Sequence, residues 1–429
     1  MTETFLKRSL PAGGDAAESP TESVRDIAAR LLAEIEAGGE AAALAHARKL
    51  DRWEGDIVVP EAAIDAACAR VPAELKEAID WAHENITRFA EAQRATLTEM
   101  EVELRPGLIA GQRLLPIAAA GAYVPGGRYS HIASALMTVT TARVAGVPNI
   151  SAVSPPRSDA PAGVPDAILY TLRLCGAQRI LAIGGIQGVA ALAFGLFGLP
   201  KADIIVGPGN DYVTEAKRQL FGRVGIDMLA GPTDVLILAD ASADPLTVAA
   251  DLVGQCEHGP DTPVWLVTDD AALAEAVAKA APACIAALPE PNRSAAALAW
   301  ERRSQIILVA DRAAMVAEAD RIAPEHLHVQ ATDLDWWKTH LNAYGSLFLG
   351  AEATVAFGDK ASGPNHVLPT SGAARYTGGL SVHKFLRTVT WQRVALEALP
   401  KLAEVTARIS RHEGMEAHAR TADMRLTRD

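Results

Sequence analysis

The stretch Ile204-Ile-Val-Gly-Pro-Gly-Asn210 is a short apolar run that ends in glycine, and a helical pattern follows it at Tyr212–Phe221. The same order of apolar run, glycine loop and helical pattern occurs at Arg179–Ile183, which runs into Gly184-Gly185. Strands that alternate with helices in this way are typical of parallel sheets covered by helices. We therefore predict an α/β fold.

Helical patterns flank this alternation on both sides. Upstream, apolar residues keep helical spacing through residues 23–105. Downstream, a second series of strands and helices begins at Asp234, and helical patterns return at 392–409 and 412–422. We therefore predict helical segments before and after two α/β units.

The composition excludes several classes of protein. Among 429 residues, 40 are Lys or Arg and 52 are Asp or Glu, so the net charge of −12 argues against a nucleic-acid-binding protein. The chain is 49% hydrophobic and 21% charged, which is typical of a globular protein with a large core. No apolar run approaches the roughly 18 residues of a membrane span, so we expect no membrane association.

The cysteines and the N-terminal residues indicate the cellular compartment of the protein. Four cysteines lie far apart without a CxxC pair, which indicates a reducing compartment and not a disulfide scaffold. The first 20 residues contain acids and no apolar core, so they do not resemble a signal peptide. We expect a cytoplasmic protein.

Three glycine loops follow predicted strands. They are Tyr123-Val-Pro-Gly-Gly127, Gly184-Gly-Ile-Gln187 and Gly207-Pro-Gly-Asn210. Backbone N–H groups at the start of a helix favour phosphate. None of the loops is a full GxGxxG followed by an acid about 20 residues later, so the ordinary dinucleotide fingerprint is absent. The alternative is that all three are plain turns between strand and helix.

Two segments contain candidate metal ligands. Gln255 and His258 are three residues apart, so on a helix they share a face. Asp359, in a polar glycine-rich loop, is a suitable hard ligand, and His418 is a candidate fourth. Such a set of nitrogen and oxygen ligands without a thiolate suits a catalytic zinc. The alternative for Gln255 and His258 is a polar helix end.

The pair Glu325-His326 follows Pro324 and is a candidate for acid–base chemistry. The imidazole would carry a proton near neutral pH and the carboxylate would activate water. The alternative is an ordinary surface pair.

His366 is a candidate group at the end of the glycine-rich loop. We assign the other histidines, among them His131, to the surface or to packing.

Together these motifs resemble the histidinol dehydrogenase family, over about residues 23–422. The segments that resemble the family are Gly207–Lys217, Gly225–Asp227, Ala230–Pro232, Gln255–His258, Pro324–Leu327 and Asn365–Thr370. The resemblance implies a zinc-dependent, NAD-linked enzyme that oxidises a primary alcohol through an aldehyde to a carboxylate with two NAD.

The resemblance also implies roles for individual residues. Zinc would be bound by Gln255, His258, Asp359 and His418. Glu325 and His326 would form the acid–base pair. NAD would be bound by Tyr123, Gln187 and Asn210, and the substrate by Thr233, His366, Lys360, Glu413 and Arg128.

The family fold has two incomplete Rossmann-like parallel-sheet domains and two small, mainly helical pieces in an intertwined homodimer. The resemblance therefore implies that Glu413 and His418 serve the partner's site. The expected division is an N-terminal arm at 1–22, the helical N-terminal part of the first α/β domain at 23–122, the second Rossmann-like domain with the NAD side at 123–233, the remainder of the first domain with the zinc and acid–base residues at 234–380, and a C-terminal helical tail at 381–429.

Three positions depart from the pattern of histidinol enzymes. Ala133 replaces a usual serine, Gly231-Pro-Thr-Asp234 replaces Gly-Pro-Ser-Glu, and Lys360 replaces a common tyrosine. A lysine would repel the cationic histidinol and, with Arg128, attract an anion.

The loops around Lys360 resemble the sulfopropanediol dehydrogenase branch, which converts 2,3-dihydroxypropane-1-sulfonate to sulfolactate. We therefore expect a small polar, anionic diol as the substrate. The alternatives are L-histidinol, which the retained Glu413 would suit, and a catalytically silent paralogue that acts as a binding subunit.

Overall fold

The computed structural model describes residues 4–8, 20–126, 131–229 and 231–427. A π-helical turn at Ala47–Asp51 continues from the first helix, and short 3-10 turns lie at Ala373–Arg375, Val382–Phe385 and Leu396–Ala398. The helices are α1 (Pro20–His46), α2 (Glu61–Arg70), α3 (Ala73–Ala95), α4 (Ile132–Val144), α5 (Asp166–Cys175), α6 (Gly185–Phe194), α7 (Asp211–Leu220), α8 (Pro245–Cys256), α9 (Ala271–Ala286), α10 (Asn292–Arg303), α11 (Arg312–Ile322), α12 (Leu334–His340), α13 (Val355–Lys360), α14 (Leu399–His412) and α15 (Glu416–Asp423). None of these helices has the length and apolar character of a membrane span.

The described strands form three sheets. They are β1 (Thr4–Lys7), β2 (Met100–Arg105), β3 (Leu108–Pro116), β4 (Ala119–Tyr123), β5 (Asn149–Ser154), β6 (Arg179–Ala182), β7 (Ile204–Val206), β8 (Gly225–Ile226), β9 (Val235–Ala239), β10 (Val264–Thr268), β11 (Ser304–Leu308), β12 (His326–Gln330), β13 (Ser346–Leu349) and β14 (Leu386–Val394).

Two of the sheets are the parallel sheets that the sequence predicts. The order β6-β5-β4-β7-β8 is parallel throughout. The order β1-β11-β10-β9-β12-β13 is parallel except for the edge strand β1. Every residue of β9 is fully buried, as expected for a strand with helices on both faces. The α/β fold class is therefore confirmed.

The third sheet, β14-β3-β2, is antiparallel and contradicts the helices predicted there. Residues 100–105 were expected to be helical, and so were residues 392–394. All nine residues of β14 pair with β3, from Leu386 opposite Pro116 to Val394 opposite Leu108. For β14 the local pattern failed because its partner lies far away in the sequence, where tertiary contacts override propensity. β2 pairs with the neighbouring β3, and its alternation of apolar and charged residues favours a strand.

Part of the predicted N-terminal arm forms a strand. Thr4–Lys7 pairs with β11 as the antiparallel edge strand. Residues 1–3 and 9–19 lie outside the described part of the chain. The arm therefore extends the larger sheet at its edge.

The two parallel sheets carry polar groups at opposite ends of their strands. In the five-stranded sheet, Tyr123 ends β4, and Gly184 and Gly207 follow β6 and β7. In the six-stranded sheet, Asp234 precedes β9 and His326 begins β12. The first set lies at carboxyl ends and the second at amino ends.

Gly207 allows two backbone segments to lie unusually close. Its φ is +114°, and a Cβ at this position would collide with the carbonyl oxygen of Tyr123. Gly222 has a similar φ of +98° but open space around it. A comparison of alanine substitutions at the two positions therefore distinguishes the cost of backbone strain from the cost of a steric clash.

We expect Gly207→Ala to lower the free energy of unfolding by about 1–3 kcal/mol more than Gly222→Ala does. Both variants place an alanine at positive φ, but only the first forces β4 and the loop apart. Chemical denaturation of both variants measures the difference. Equal losses would show that the contact with Tyr123 carries no cost.

Candidate active site

A cavity of about 670 Å³ opens at the carboxyl edge of the five-stranded sheet. Tyr123 at the end of β4, Gln187 in the first turn of α6 and Asn210 at the N-cap of α7 all line it. The structure thus brings together the three residues predicted to bind NAD. Another wall comes from α1 and the π-helical turn, including Asp51.

The loop at Gly207 is held by a buried ion pair. Asp227 accepts a hydrogen bond from the Gly207 N–H at 2.7 Å, and Lys217 donates to the Gly207 carbonyl at 2.9 Å. The Lys217 ammonium also pairs with Asp227. Asn210 then caps α7 by accepting from the Val213 N–H at 3.1 Å. These bonds fix the loop before any ligand binds.

The loop at Gly184 is held by groups from outside it. The Tyr123 hydroxyl accepts from the Gly185 N–H at 3.0 Å. Asp51 accepts from the Gly184 N–H at 3.1 Å and from Gln187 Nε2 at 2.9 Å. Burial raises the pKa of the Tyr123 phenol, which therefore stays neutral.

A second cavity, of about 790 Å³, lies between α3, α4, α8 and α13. It collects many of the polar residues that the sequence singled out. Its lining includes His131, Ser134, Gln255, His258, Asp359, Lys360 and His366.

Asp359 is the central acid of this second cavity. Its carboxylate lies 4.0 Å from His258 Nε2 and 3.5 Å from His326 Nε2. Burial opposes its ionisation, but the interaction with the His326 imidazole outweighs this and lowers the pKa of Asp359 to about 2. The group is therefore an anion with oxygens directed at two imidazoles.

His326 has a fixed tautomer. Nδ1 lies 2.8 Å from the Asp234 carbonyl oxygen, which can only accept, so the proton is on Nδ1. Nε2 is buried and has no hydrogen-bond partner among the described residues. Burial opposes the imidazolium, yet the carboxylates of Glu325 and Asp359 raise the pKa of His326 to about 9. The ring is therefore a strong base, and Nε2 accepts a proton when the ring is neutral.

Glu325 is held by hydroxyl and backbone donors. Thr233 Oγ1 donates to Glu325 Oε2 at 2.6 Å, and the Asp234 N–H donates to the same oxygen at 3.1 Å. Gln255 Nε2 in turn donates to Thr233 Oγ1 at 2.7 Å. Burial raises the pKa of Glu325 to about 7, against the opposing effect of His326. This carboxyl can exchange a proton near neutral pH.

The helix that carries Asp359 is tied to α8. Asp251 accepts from Thr354 Oγ1, at the N-cap of α13, at 2.9 Å. Its other oxygen accepts from Gln330 Nε2 at 2.7 Å. Asp359 is therefore positioned by contacts with α8 and β12, the elements that also carry Gln255 and His326.

Lys360 and two neutral histidines share the second cavity. Burial lowers the pKa of both His131 and His366 to about 4, and the positive charge of Lys360 acts in the same direction. His366 Nε2 lies 3.2 Å from Ser134 Oγ. No carboxylate pairs with the Lys360 ammonium in the described part of the chain. Beside the anionic Asp359, the cavity therefore has one exposed cation and several neutral hydrogen-bonding groups.

Three of the four predicted zinc ligands come together. Because Gln255 Nε2 donates to Thr233, its carbonyl oxygen remains available beside His258 and Asp359. Desolvation lowers the pKa of His258, which favours the neutral ligand form. These nitrogen and oxygen donors fit zinc with one ligand still needed. No group of three or more His, Cys, Asp or Glu side chains placed to hold a metal occurs within the described ranges.

The remaining predicted residues lie elsewhere. Glu413 follows α14 and His418 lies in α15, and both are exposed. No contact found among the described residues joins either of them to Asp359. Arg128 lies outside the described part of the chain.

Sequence reasoning missed two residues that line these cavities and one, Asp234, that holds Glu325 in place. His131, assigned to the surface or to packing, lines the second cavity at the N-cap of α4. Asp234 accepts a hydrogen bond from the Glu325 N–H at 2.7 Å. The only sequence signal for this residue was its place in the Gly231–Asp234 motif. Asp51 lies in a helical run without a motif, so no local signal pointed to it.

Comparisons with known proteins agree on one family. The family model described as histidinol dehydrogenase matches residues 15–426. A histidinol dehydrogenase homolog from Ruegeria pomeroyi is 66% identical over 99% of this chain and 97% of its own. A sulfopropanediol 3-dehydrogenase from the same organism is 60% identical over 100% of this chain and 97% of its own. The crystal structure of histidinol dehydrogenase from Elizabethkingia anophelis superimposes with a TM-score of 0.88 at 34% identity, covering 94% of this chain and 92% of that one.

We expect Thr233→Val to lower the free energy of unfolding by about 1–3 kcal/mol, because it leaves the buried Glu325 carboxylate and the Gln255 amide without their shared partner. Thr233→Ser keeps the hydroxyl and is the matched control, which should stay close to the wild type. Urea denaturation compares the two variants. If Thr233→Val were as stable as Thr233→Ser, the hydroxyl would not hold these groups.

Proposed function

This chain belongs to the histidinol dehydrogenase family, whose members are NAD-dependent oxidoreductases, and we propose that it oxidises a small anionic diol such as 2,3-dihydroxypropane-1-sulfonate. The primary alcohol passes through a bound aldehyde to the carboxylate. One alcohol, two NAD⁺ and one water give one carboxylate, two NADH and three protons.

The observation that carries the choice of substrate is Lys360. It follows Asp359 directly and lines the 790 Å³ cavity. Its positive charge disfavours protonation of His131, His258 and His366, which line the same cavity. Lys360, which forms no ion pair among the described residues, attracts an anionic substrate and repels a cationic one.

Neutral groups of the same cavity suit the rest of an anionic diol. His131 and Ser134 line it beside Lys360 and offer hydrogen bonds without adding negative charge. The 60% identical relative named sulfopropanediol 3-dehydrogenase supports a sulfonate at this position. Arg128, close in sequence to His131, is proposed as a second cationic contact.

Gln255, His258 and Asp359 are proposed to hold zinc together with His418 of the partner subunit. The donor set fits this ion, and the family generally uses zinc. Tyr123, Gln187 and Asn210 are proposed to bind NAD in the 670 Å³ cavity. When bound, zinc supplies Lewis-acid polarisation of the alcohol oxygen and NAD accepts hydride.

The protein's own groups then move protons and position water. In its neutral form His326 takes the alcohol proton at Nε2, since Nδ1 holds its own proton against the Asp234 carbonyl. Glu325, fixed by Thr233, removes a proton from the water that attacks the aldehyde carbon. His366, hydrogen-bonded to Ser134, is proposed to orient the substrate. The aldehyde stays bound in the cavity between the two oxidations.

A homodimer with shared sites is part of this proposal. α14 and α15 pack on each other through their own small cluster of buried alanines. Exposed apolar side chains lie on and beside these helices: Ile409 of α14 is 54% exposed, Leu396 in the preceding 3-10 turn 84%, and Met424 directly after α15 66%. Exposed apolar surface of this kind marks an interaction site. A second copy covering it would bring Glu413 and His418 to the neighbouring cavity.

L-Histidinol is the second candidate. Glu413, retained in this chain, would suit a substrate ammonium, and relatives named histidinol dehydrogenase are 36–38% identical. The family assignment favours an enzyme over a catalytically silent subunit.

The zinc-loaded enzyme is tested with NAD⁺ and each alcohol while NADH is followed by absorbance. We expect turnover of 2,3-dihydroxypropane-1-sulfonate and little turnover of L-histidinol, because Lys360 repels the cation. Turnover of histidinol alone would overturn the proposed substrate. Turnover of neither would direct the search to other small polar alcohols.

Lys360→Met is expected to raise KM for the sulfonate roughly tenfold and to leave KM for NAD⁺ unchanged, since it removes one charged contact. Lys360→Arg keeps the charge and should retain most of the affinity. Lys338→Met, on an exposed position of α12, is the control for loss of a lysine elsewhere. Equal effects on both KM values would show that Lys360 does not contact the substrate.

His258→Ala and His418→Ala are each expected to abolish zinc binding and activity. A heterodimer of the two variants, isolated with two affinity tags, should recover about half of the wild-type activity and one zinc per dimer, because one of its two shared sites is intact. Metal analysis and the NADH assay measure both. No recovery in the heterodimer would show that both ligands come from one chain.

A further inference from the structure

An ordinary dinucleotide-binding fold has an acidic residue about 20 residues after its glycine loop, and this residue binds the ribose 2′-hydroxyl. In this chain the acids at that spacing have other partners. Asp227 lies 20 residues after Gly207, but it is fully buried and paired with Lys217. Asp203 lies 19 residues after Gly184, but it accepts from the Ala118 and Ala119 N–H groups at the start of β4. Neither can reach a nucleotide ribose at the carboxyl edge of the sheet.

Asp51 supplies a carboxylate at that edge from a different part of the chain. Its Oδ2 accepts from the Gly184 N–H and from Gln187 Nε2. Its Oδ1 takes part in no hydrogen bond found among the described residues, and the residue lines the 670 Å³ cavity. Burial raises the pKa of Asp51, but both of these donors favour its anionic form.

Gln187 gives an independent sign of a missing ligand. Its Nε2 donates a hydrogen bond to Asp51, so Oε1 of the same amide points away from Asp51. Oε1 is buried and has no hydrogen-bond partner in the described structure. Gln187 is 1% exposed and lines the same cavity. A buried oxygen without a donor is costly unless a ligand supplies one.

We propose that Asp51 makes this enzyme select NAD over NADP, by accepting a hydrogen bond from the adenosine ribose 2′-hydroxyl and by repelling a 2′-phosphate. Asp51 thereby replaces the fingerprint acid of an ordinary dinucleotide fold with a carboxylate from the π-helical turn after α1. This inference rests on the proposed cofactor cavity and not on the choice of substrate.

The other charged groups of the cavity are compatible with a role for Asp51 in binding the ribose 2′-hydroxyl. Arg30 and His46 both pair with Glu34, at 3.0 and 2.9 Å. Lys49 lines the cavity as well, and no ion pair involving it is found in the described ranges. Lys49 suits the diphosphate common to both cofactors. If the cations instead hold the 2′-phosphate, NADP would be preferred, and the test below detects it.

Calorimetric titration of the full-length enzyme with NAD⁺ and with NADP⁺, without alcohol, measures the two dissociation constants. We expect the wild type to bind NAD⁺ at least about tenfold more tightly, and Asp51→Asn to bring the ratio close to one. Glu54→Gln, at an exposed position three residues further on, should leave the ratio unchanged. An unchanged ratio in Asp51→Asn, or a wild type that favours NADP⁺, overturns the proposal.

A salt series on the wild type tests the same point without a variant. If Asp51 repels the 2′-phosphate, added salt screens the repulsion and NADP⁺ binding strengthens relative to NAD⁺. If cations bind the 2′-phosphate, NADP⁺ binding weakens instead, and the proposal fails.

Tyr212→Ala distinguishes a wrong cavity from a wrong role. Tyr212 lines the cavity and is 41% exposed, so its loss should weaken both nucleotides equally. No effect of Tyr212→Ala would overturn the proposed cofactor cavity, and Asp51's role with it. If Tyr212→Ala weakens binding but Asp51→Asn leaves the ratio of the NAD⁺ and NADP⁺ dissociation constants unaltered, the cavity stands and only the role of Asp51 is overturned.

Discussion

A reciprocal exchange of hydrogen bonds between Asp234 and Glu325 joins the amino ends of β9 and β12. The Glu325 N–H donates to the Asp234 carboxylate at 2.7 Å, and the Asp234 N–H donates to the Glu325 carboxylate at 3.1 Å. The Asp234 carbonyl then orients His326. Two buried carboxylates are costly unless donors satisfy them, and here each is satisfied by the other residue's backbone. The geometry of the acid–base pair therefore depends on the alignment of two central strands.

The two parallel sheets contribute opposite edges to the chemistry. Ligands of open α/β sheets ordinarily bind at the carboxyl ends of strands, and the glycine loops of the five-stranded sheet follow that rule. The six-stranded sheet departs from it, since Asp234 and His326 lie at its amino ends. Gln255 and His258 reach the same edge because they lie at the carboxyl end of α8. The larger sheet thus holds the buried Asp234, Glu325 and His326 at its amino edge.

The sequence predicted those parts of the fold whose signal is local. Apolar runs such as Val235–Ala239 indicated buried parallel strands, and the glycine after Val206 indicated a strand–helix turn. β2 has a local signal that the helical prediction overlooked, since Met100–Arg105 alternates apolar and charged residues before the Pro106-Gly107 turn into β3. β14 could not be predicted, because its partner β3 lies more than 250 residues earlier in the sequence. In the site, motif residues such as His258 and Asp359 come together. Asp51 escaped prediction because its role depends on a contact 133 residues away in sequence.

The pairing of β14 with β3 has a consequence for biosynthesis. β3 is synthesised more than 250 residues before the strand that completes its sheet. Until the ribosome has released residues 386–394, one side of β3 presents unpaired backbone groups, with only β2 beside it. An open strand edge is a template for aggregation. The nascent chain therefore depends on the speed of its own completion, or on a chaperone, to protect an edge that the finished protein hides.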